Sequence, residues 1–237
     1  MRGRNRPVRS AVWSPPRGAV YTPGNANALF GMWFDGVDDA VIFSGLPYAA
    51  KTKGRITGSF QTTSAAVECI CAGTDSSDAA SDLRVNVNAG KLFFGVREGA
   101  TTLAVATDAT FNDGAAHTFE VEVTAAGNSI SVDGTPQAVT YSAGDASSSN
   151  WFSTVADMDA WAIGVRQEST PDNFFEQWIG DISIYDEDGA TLLGRWLGTG
   201  PTNADWTDQA GSNDGTVAGS PNKATSTDGG KTWGELT

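Results

Sequence analysis

From Phe30 onward the chain is a succession of short apolar-rich segments separated by clusters of Gly, Asp, Asn and Ser, with helical periodicity almost absent. Many short strands punctuated by glycine turns point to an all-β sandwich or barrel. The predicted strands are 32–34, 40–43, 55–62, 68–72, 83–88, 91–97, 103–106, 117–124, 129–132, 161–165 and 177–185. Asn88-Ala89-Gly90 suits a hairpin, and Asp133-Gly134 is a type I′ turn signal. Phe119, Val121 and Val123 alternate with Glu120, Glu122 and Thr124, which predicts a strand with one buried and one acidic outer face. Ile179, Asp181, Ser183 and Tyr185 alternate with Gly180, Ile182 and Ile184 in the same way. Residues 142–149 and 199–231 are rich in small polar types, so loops or loosely paired ribbons are expected there.

A chain of 237 residues can bury a full sandwich core without disulfide support. Its two cysteines, Cys69 and Cys71, fall at i and i+2 of a predicted strand, about 6.5–7 Å apart on one face and at the outer limit for a disulfide. They are expected to be small buried hydrophobes. Eight tryptophans supply either core or a stacking face.

The net charge of −13 argues against nucleic acid, whose phosphates need clustered cations. Residues 1–29 differ from the rest: they combine Pro and Gly with Arg2, Arg4, Arg6, Arg9 and Arg17, and Trp13 offers an apolar anchor. This segment is expected to be a docking arm or a flexible tail. Its prolines interrupt any apolar run long enough for a signal-peptide core, and no stretch approaches the roughly 20 apolar residues of a membrane helix. Reaching the outside of a cell is therefore expected to depend on another route, such as release of a virus particle by lysis.

Phe34-Asp35-Gly36-Val37-Asp38-Asp39-Ala40-Val41 resembles the opening strand of laminin-G-like jelly rolls, within the concanavalin-A-like lectin and glucanase superfamily. Three further pieces follow in the family's order. They are Phe111-Asn112-Asp113-Gly114 with His117-Thr118-Phe119, then Ser129 to Gly134, then Trp178 to Tyr185. Trp206 and Asp208 to Val217 resemble a segment that commonly precedes the opening strand but here follows the closing one. The resemblance implies a two-sheet antiparallel jelly-roll sandwich over residues 30–222, with the arm 1–29 before it and an Asp-box-like hairpin or tail over 223–237. The Asp-box match, Ser226 to Trp233, occurs once rather than once per blade, so it implies a local hairpin and not a propeller.

The resemblance also orders the candidate sites. Many relatives hold a structural calcium, which here would be bound by Asp35 and Asp181 with Asp38 or Asp39 helping; the alternative is that the acids cap turn amides. Trp151, Phe152, Trp161, Phe174 and Phe175, in or beside polar loops, are candidates for stacking on glycan rings. Catalysis is not expected. Retaining glycosidases need two carboxylates about 5–5.5 Å apart, and the nearest look-alike, Glu120-Val121-Glu122, matches no catalytic strand. His117 is the sole histidine, which excludes a three-histidine metal site; a structural role is expected for it.

Together these features lead to the expectation of a non-enzymatic structural or adhesion subunit of a virus particle. A tailed-phage appendage, fibre or capsid-decoration protein fits, at the virion surface, forming homo-oligomers and docking on other virion proteins through the arm. The alternative is a stand-alone extracellular bacterial lectin binding a host or environmental glycan. Neither reading involves nucleic acid or a membrane.

Overall fold

The computed structural model describes residues 29–198, 202–226 and 233–235. The predicted docking residues Arg2, Arg4, Arg6, Arg9, Trp13 and Arg17 lie outside them, as do 227–232 of the Asp-box match.

In chain order the strands are β1 (Leu29–Asp35), β2 (Ala40–Ser44), β3 (Gly54–Gln61), β4 (Glu68–Thr74), β5 (Ser81–Asn88), β6 (Lys91–Glu98) and β7 (Ala100–Thr107). They continue with β8 (His117–Thr124), β9 (Gly127–Val132), β10 (Thr135–Pro136), β11 (Val139–Ala143), β12 (Ala160–Ile163) and β13 (Glu176–Tyr185). The last are β14 (Leu192–Trp196), β15 (Gly215–Ala218), β16 (Asn222–Ser226) and β17 (Trp233–Glu235). Two short 3-10 turns, Phe152–Thr154 and Asn203–Trp206, are the helical elements among the described residues. No helix among the described residues is long and apolar enough to cross a membrane.

All pairings are antiparallel and form two sheets. The first runs β10-β9-β8-β3-β13-β1-β16-β17, with β14 continuing the line of β1 along β13. The second runs β11-β7-β6-β5-β4-β12-β2-β15. Between them lies one apolar core, including Phe34, Phe43, Phe94, Val121, Trp161 and Trp196. The displaced segment has a place in this order: β15 pairs with β2 at the edge of the second sheet, and Trp206 is fully buried. The strand at that edge thus comes from the late part of the chain. β16 and β17 extend the first sheet past residue 222, so the boundary expected at 222–223 falls inside a strand.

Two β-bulges redirect side chains that simple alternation misplaces. In β13 the register shifts between Ile179 and Ile182, so Ile179, Ile182 and Ile184 all enter the core. In β4 a shift between Cys69 and Cys71 sends Cys71 inward, while Cys69 lies opposite Asn86 on the other face. Both thiols are free and buried. Burial pushes both up, Cys71 well above the ordinary thiol value.

Candidate functional site

The aromatic side chains expected to stack on glycans are placed elsewhere. Trp151, Phe152, Trp161 and Phe175 are at most 1% exposed and belong to the main core. Trp161 packs between Phe152 and Trp196, at ring distances of 5.8 and 6.3 Å. Burying 150–250 Å² of aromatic surface contributes roughly 4–6 kcal/mol, which outweighs the polarity of the flanking loops. Phe174 is half-buried and packs with Val165 over Ala40, Ala162 and Ile42 on the outside of the second sheet.

The calcium set is likewise split. Asp35, Asp38 and Asp39 converge, with ligand atoms within 4.8 Å of one another, a donor set of the hard-oxygen kind calcium takes. Asp181 does not join them. Glu176 is the residue opposite Asp35, and Asp181 lies five residues further along β13, roughly 16 Å at strand rise. It accepts from Ser59 and faces Arg195 at 3.7 Å. Within the cluster, Asp39 Oδ2 accepts from Asp35 N at 3.0 Å and Oδ1 from Ser220 N at 2.7 Å. Asp35 Oδ1 accepts from Val37 N at 2.8 Å. The acids therefore work as turn caps, and a cation would have to rely on Asp38, the free oxygen of Asp35 and backbone carbonyls. Burial holds the Asp39 carboxyl above its usual range.

His117 is pinned between two carboxylates, Nδ1 at 2.8 Å from Asp133 Oδ2 and Nε2 at 3.1 Å from Asp113 Oδ1. Its ring packs edge-on against Phe111 at 5.2 Å. The Glu120 carboxylate pairs with Arg55 at 3.3 Å on the outer face of the first sheet. An open surface pocket of about 510 Å³ beside Tyr48 is lined by Lys51, Asp186, Glu187 and Asp188. Its polar groups are already used: Lys51 bonds Asp186, Thr52 bonds Glu187, and Thr191 bonds Asp188.

The outer face of the second sheet carries the remaining polar constellation. Val85 and Val87 of β5 and Leu92 and Phe94 of β6 face the core, so Asp82, Arg84, Asn86, Phe93, Gly95 and Arg97 face outward. In register, one row across this face reads Cys69, Asn86, Phe93, Ala106, Thr140; the next reads Ala72, Arg84, Gly95, Ala104.

Loop 164–175 folds back over one half of the face. Cys69 N donates to Asn173 O at 2.7 Å, and Thr74 Oγ1 donates to Gln167 O at 2.5 Å. Charges clamp it. Fully buried Asp82 meets Arg84, Arg97 at 2.6 Å and Arg166 at 3.5 Å. Glu168 meets Arg97 at 2.7 Å and Arg166 at 3.3 Å, and Arg166 forks onto Asp172 at 2.8 and 2.5 Å. Burial keeps the Glu168 carboxyl above its usual range in spite of those two guanidiniums.

The other half, over β5, β6 and β7, is left open by the loop. Phe93 is half-buried there, its ring leaning over Gly95, and the Arg84 guanidinium stands 5.5 Å from the ring centre. Across from Phe93 in the register, Asn86 is 2% exposed and its Oδ1 has no hydrogen-bond partner among the described residues. An unsatisfied buried acceptor of this kind costs about 1–3 kcal/mol, and a ligand hydroxyl is one group that could satisfy it. An aromatic surface with a few convergent polar groups is the composition of a small-ligand site.

The fold has counterparts of known structure. A protein of Bacteroides ovatus described as carbohydrate-binding superposes with a TM-score of 0.59 at 12% identity, over 82% of this chain and 59% of that one. The CBM40 module of a Ruminococcus gnavus IT-sialidase gives 0.54 at 16% identity, over 68% and 92%. The fold is a two-sheet antiparallel jelly-roll sandwich, as the sequence led us to expect. The R. gnavus module has also been solved with α2,3-sialyllactose bound. The jelly roll further matches a leech intramolecular trans-sialidase at 0.52 and 17% identity, over 90% of this chain and 38% of that enzyme. No family model matches the sequence, and no curated protein matches it. At such identities the likeness carries the fold alone.

Proposed function

We propose that this jelly roll is a non-catalytic carbohydrate-binding module and that sugar is held on the open outer face of the second sheet. The observation that carries the reading is the unpartnered Oδ1 of Asn86 directly across from the half-buried Phe93 ring. A sugar ring offers both complements: hydroxyls for the amide and a C–H face for the aromatic. Support also comes from the fold, which the CBM40 module shares, and from the acidic side chains, which pair with cations or cap turns as described. The test is a glycan screen of the full chain beside Phe93→Ala. Binding that the variant loses supports the reading. Absence of binding to any glycan, or binding indifferent to Phe93, overturns it.

A finer role is motivated by the uneven charge. Residues 1–17 carry five arginines and no acid, so with −13 in total the remainder carries −18. A basic segment attached to so acidic a body suits docking on an acidic partner. We propose that this segment joins the module to a larger assembly. A virus particle, as a tailed-phage appendage or decoration subunit at the virion surface, is the case that agrees with the expectation from the sequence. Comparing the assembly state of the full chain with that of a chain lacking residues 1–29, and mass spectrometry of purified particles, test it. Identical monomers, and absence from particles, would remove it.

A further inference from the structure

We infer that the end of the sandwich carrying Val37 and Val67 is the receptor for the arginine-rich segment 1–17 of a second copy of this chain. The inference rests on the reading of that segment as a docking arm and deepens it by naming the partner and the surface.

The strand register brings the relevant turns together. β1 reaches this end at Asp35, β13 starts there at Glu176, β3 leaves it after Gln61, and β4 enters from it at Glu68. β1 and β3 flank β13, so the turn 36–39 and the loop 62–67 stand on either side of Glu176. Val37 and Val67 are the exposed large apolar side chains among the described residues, at 69% and 41%. Scattered single valines on a surface are ordinary, but these two share one end of one sandwich. Glu176 ties the two together. A Cβ on Gly36 would lie 3.2 Å from the Glu176 Cβ, and Glu176 is within electrostatic reach of Glu68, the residue after Val67.

The charge at this end is unmatched. Asp35, Asp38 and Glu176 are exposed, and among the described residues no cation pairs with them. By contrast Asp82, Glu120, Glu168, Asp181 and Asp186 each have a cation within 3.7 Å. Exposed valine beside free carboxylate is complemented by a segment that interleaves apolar and cationic side chains. Residues 1–17 have that composition, with Val8, Val12 and Trp13 among Arg2, Arg4, Arg6, Arg9 and Arg17. An acidic partner would be repelled here.

The position of the segment in the chain selects a second copy. It joins the fold through Leu29, at the far end of β1 from Asp35, roughly 20 Å away at strand rise. Residues 18–28 form the tether, which spans up to roughly 36–40 Å when extended and so reaches a neighbouring module. With exit and receptor at opposite ends, the contact is head-to-tail, and it closes as a ring or continues as a filament.

The experiment is sedimentation velocity of three full-length proteins over a concentration series at low and high salt. They are the parent, Val37→Lys combined with Val67→Lys, and Arg4→Ser combined with Arg6→Ser and Arg9→Ser. Thermal melts accompany it, with unchanged midpoints expected because both valines are exposed. The parent should self-associate, more weakly at high salt, and each variant should raise the dissociation constant at least about tenfold. A parent that stays monomeric throughout overturns the inference, as do cross-links that join residues 1–17 to 35–38 within one monomer. Association that survives in either variant overturns the pairing of this end with the segment. The docking reading is judged separately, by whether the arginine variant enters purified particles as the parent does. A monomeric parent whose arginines are needed there leaves that reading standing with another partner; arginines needed for neither overturn both.

Discussion

Phe93 and Gly95 share one patch of surface: a Cβ on Gly95 would lie 2.6 Å from Phe93 Cε1 and 3.0 Å from Cζ. The glycine is required by the ring and not by the backbone, since its φ lies outside the left-handed region. Gly95→Ala should therefore swing the ring off the sheet with little cost in stability, within about 1 kcal/mol because the ring can move into solvent. Sugar affinity should fall roughly 3–10-fold, about 0.6–1.4 kcal/mol. Calorimetric titration beside a thermal melt separates the two effects; undiminished affinity would take Phe93 out of the contact.

Asp82 is the hub of the clamp that holds loop 164–175 to the sheet. Replacing it with alanine leaves Arg84, Arg97 and Arg166 facing a site with no buried carboxylate except Glu168. Removing one member of a buried ionic network typically costs about 3–5 kcal/mol. Urea unfolding should show a loss of that size, and hydrogen exchange at loop 164–175 should quicken. A loss below about 1 kcal/mol would mean the network is solvated and the loop is held by Val165 and Phe174 instead.

Asp39 ties the β1–β2 turn to Ser220 through two backbone amides. Asp39→Ala should cost about 1–2 kcal/mol because two part-buried backbone amides, those of Asp35 and Ser220, lose their acceptor. Since the same oxygens are already occupied, a chelator should leave the melting midpoint of the parent protein within about 1 °C, a shift smaller than 1 kcal/mol would give. A larger fall on chelation would assign the three aspartates to calcium.

Two carboxyls should give pH effects of opposite sign. Burial raises the Glu68 carboxyl above its usual range, more than the Thr62 and Ser64 hydroxyls lower it. A raised folded value stabilises below the ordinary carboxyl range, and that contribution is lost as pH rises through it. Glu68→Gln should thus be more stable than the parent near about pH 8 and indistinguishable from it near about pH 4. Asp188 runs the other way: hydrogen bonds from the Thr191 hydroxyl and the Thr191 and Ala190 amides lower it to about 2. Its contribution is present above the ordinary carboxylate value and lost as pH falls through about 2. Denaturation midpoints across pH for Glu68→Gln, and an NMR titration of Asp188, check the pair.

The strands were legible in the sequence wherever alternation and turn chemistry agreed. Phe119, Val121 and Val123 are buried as their spacing indicates, and Asp133 and Gly134 both take positive φ, at 50° and 72°, as a type I′ turn requires. Bulges in β4 and β13 were not legible, because an inserted residue leaves no compositional trace. The ligand aromatics were misjudged for a related reason. Polarity next to Trp151 or Trp161 describes the loop, while the direction of the ring is set by strands far away in the chain. The alternation Asp82, Arg84, Asn86 and then Phe93, Gly95, Arg97 was present in the sequence and marks an outward face. What it lacks is any sign that loop 164–175 would cover half of that face and leave the other half open.

The earliest strands have only late partners. β1 pairs with β13 and β16, and β2 pairs with β12 and β15, so neither gains a neighbour until more than a hundred further residues exist. During synthesis, at about 5–20 residues per second, Met32, Phe34, Val41 and Phe43 must therefore wait uncovered for several seconds. The middle of each sheet, β5 to β7 and β3 with β8, can meanwhile form from shorter-range pairings. Maturation of this jelly roll is accordingly gated by its closing segment, and nascent chains halted before β12 should remain sensitive to protease at their front ends.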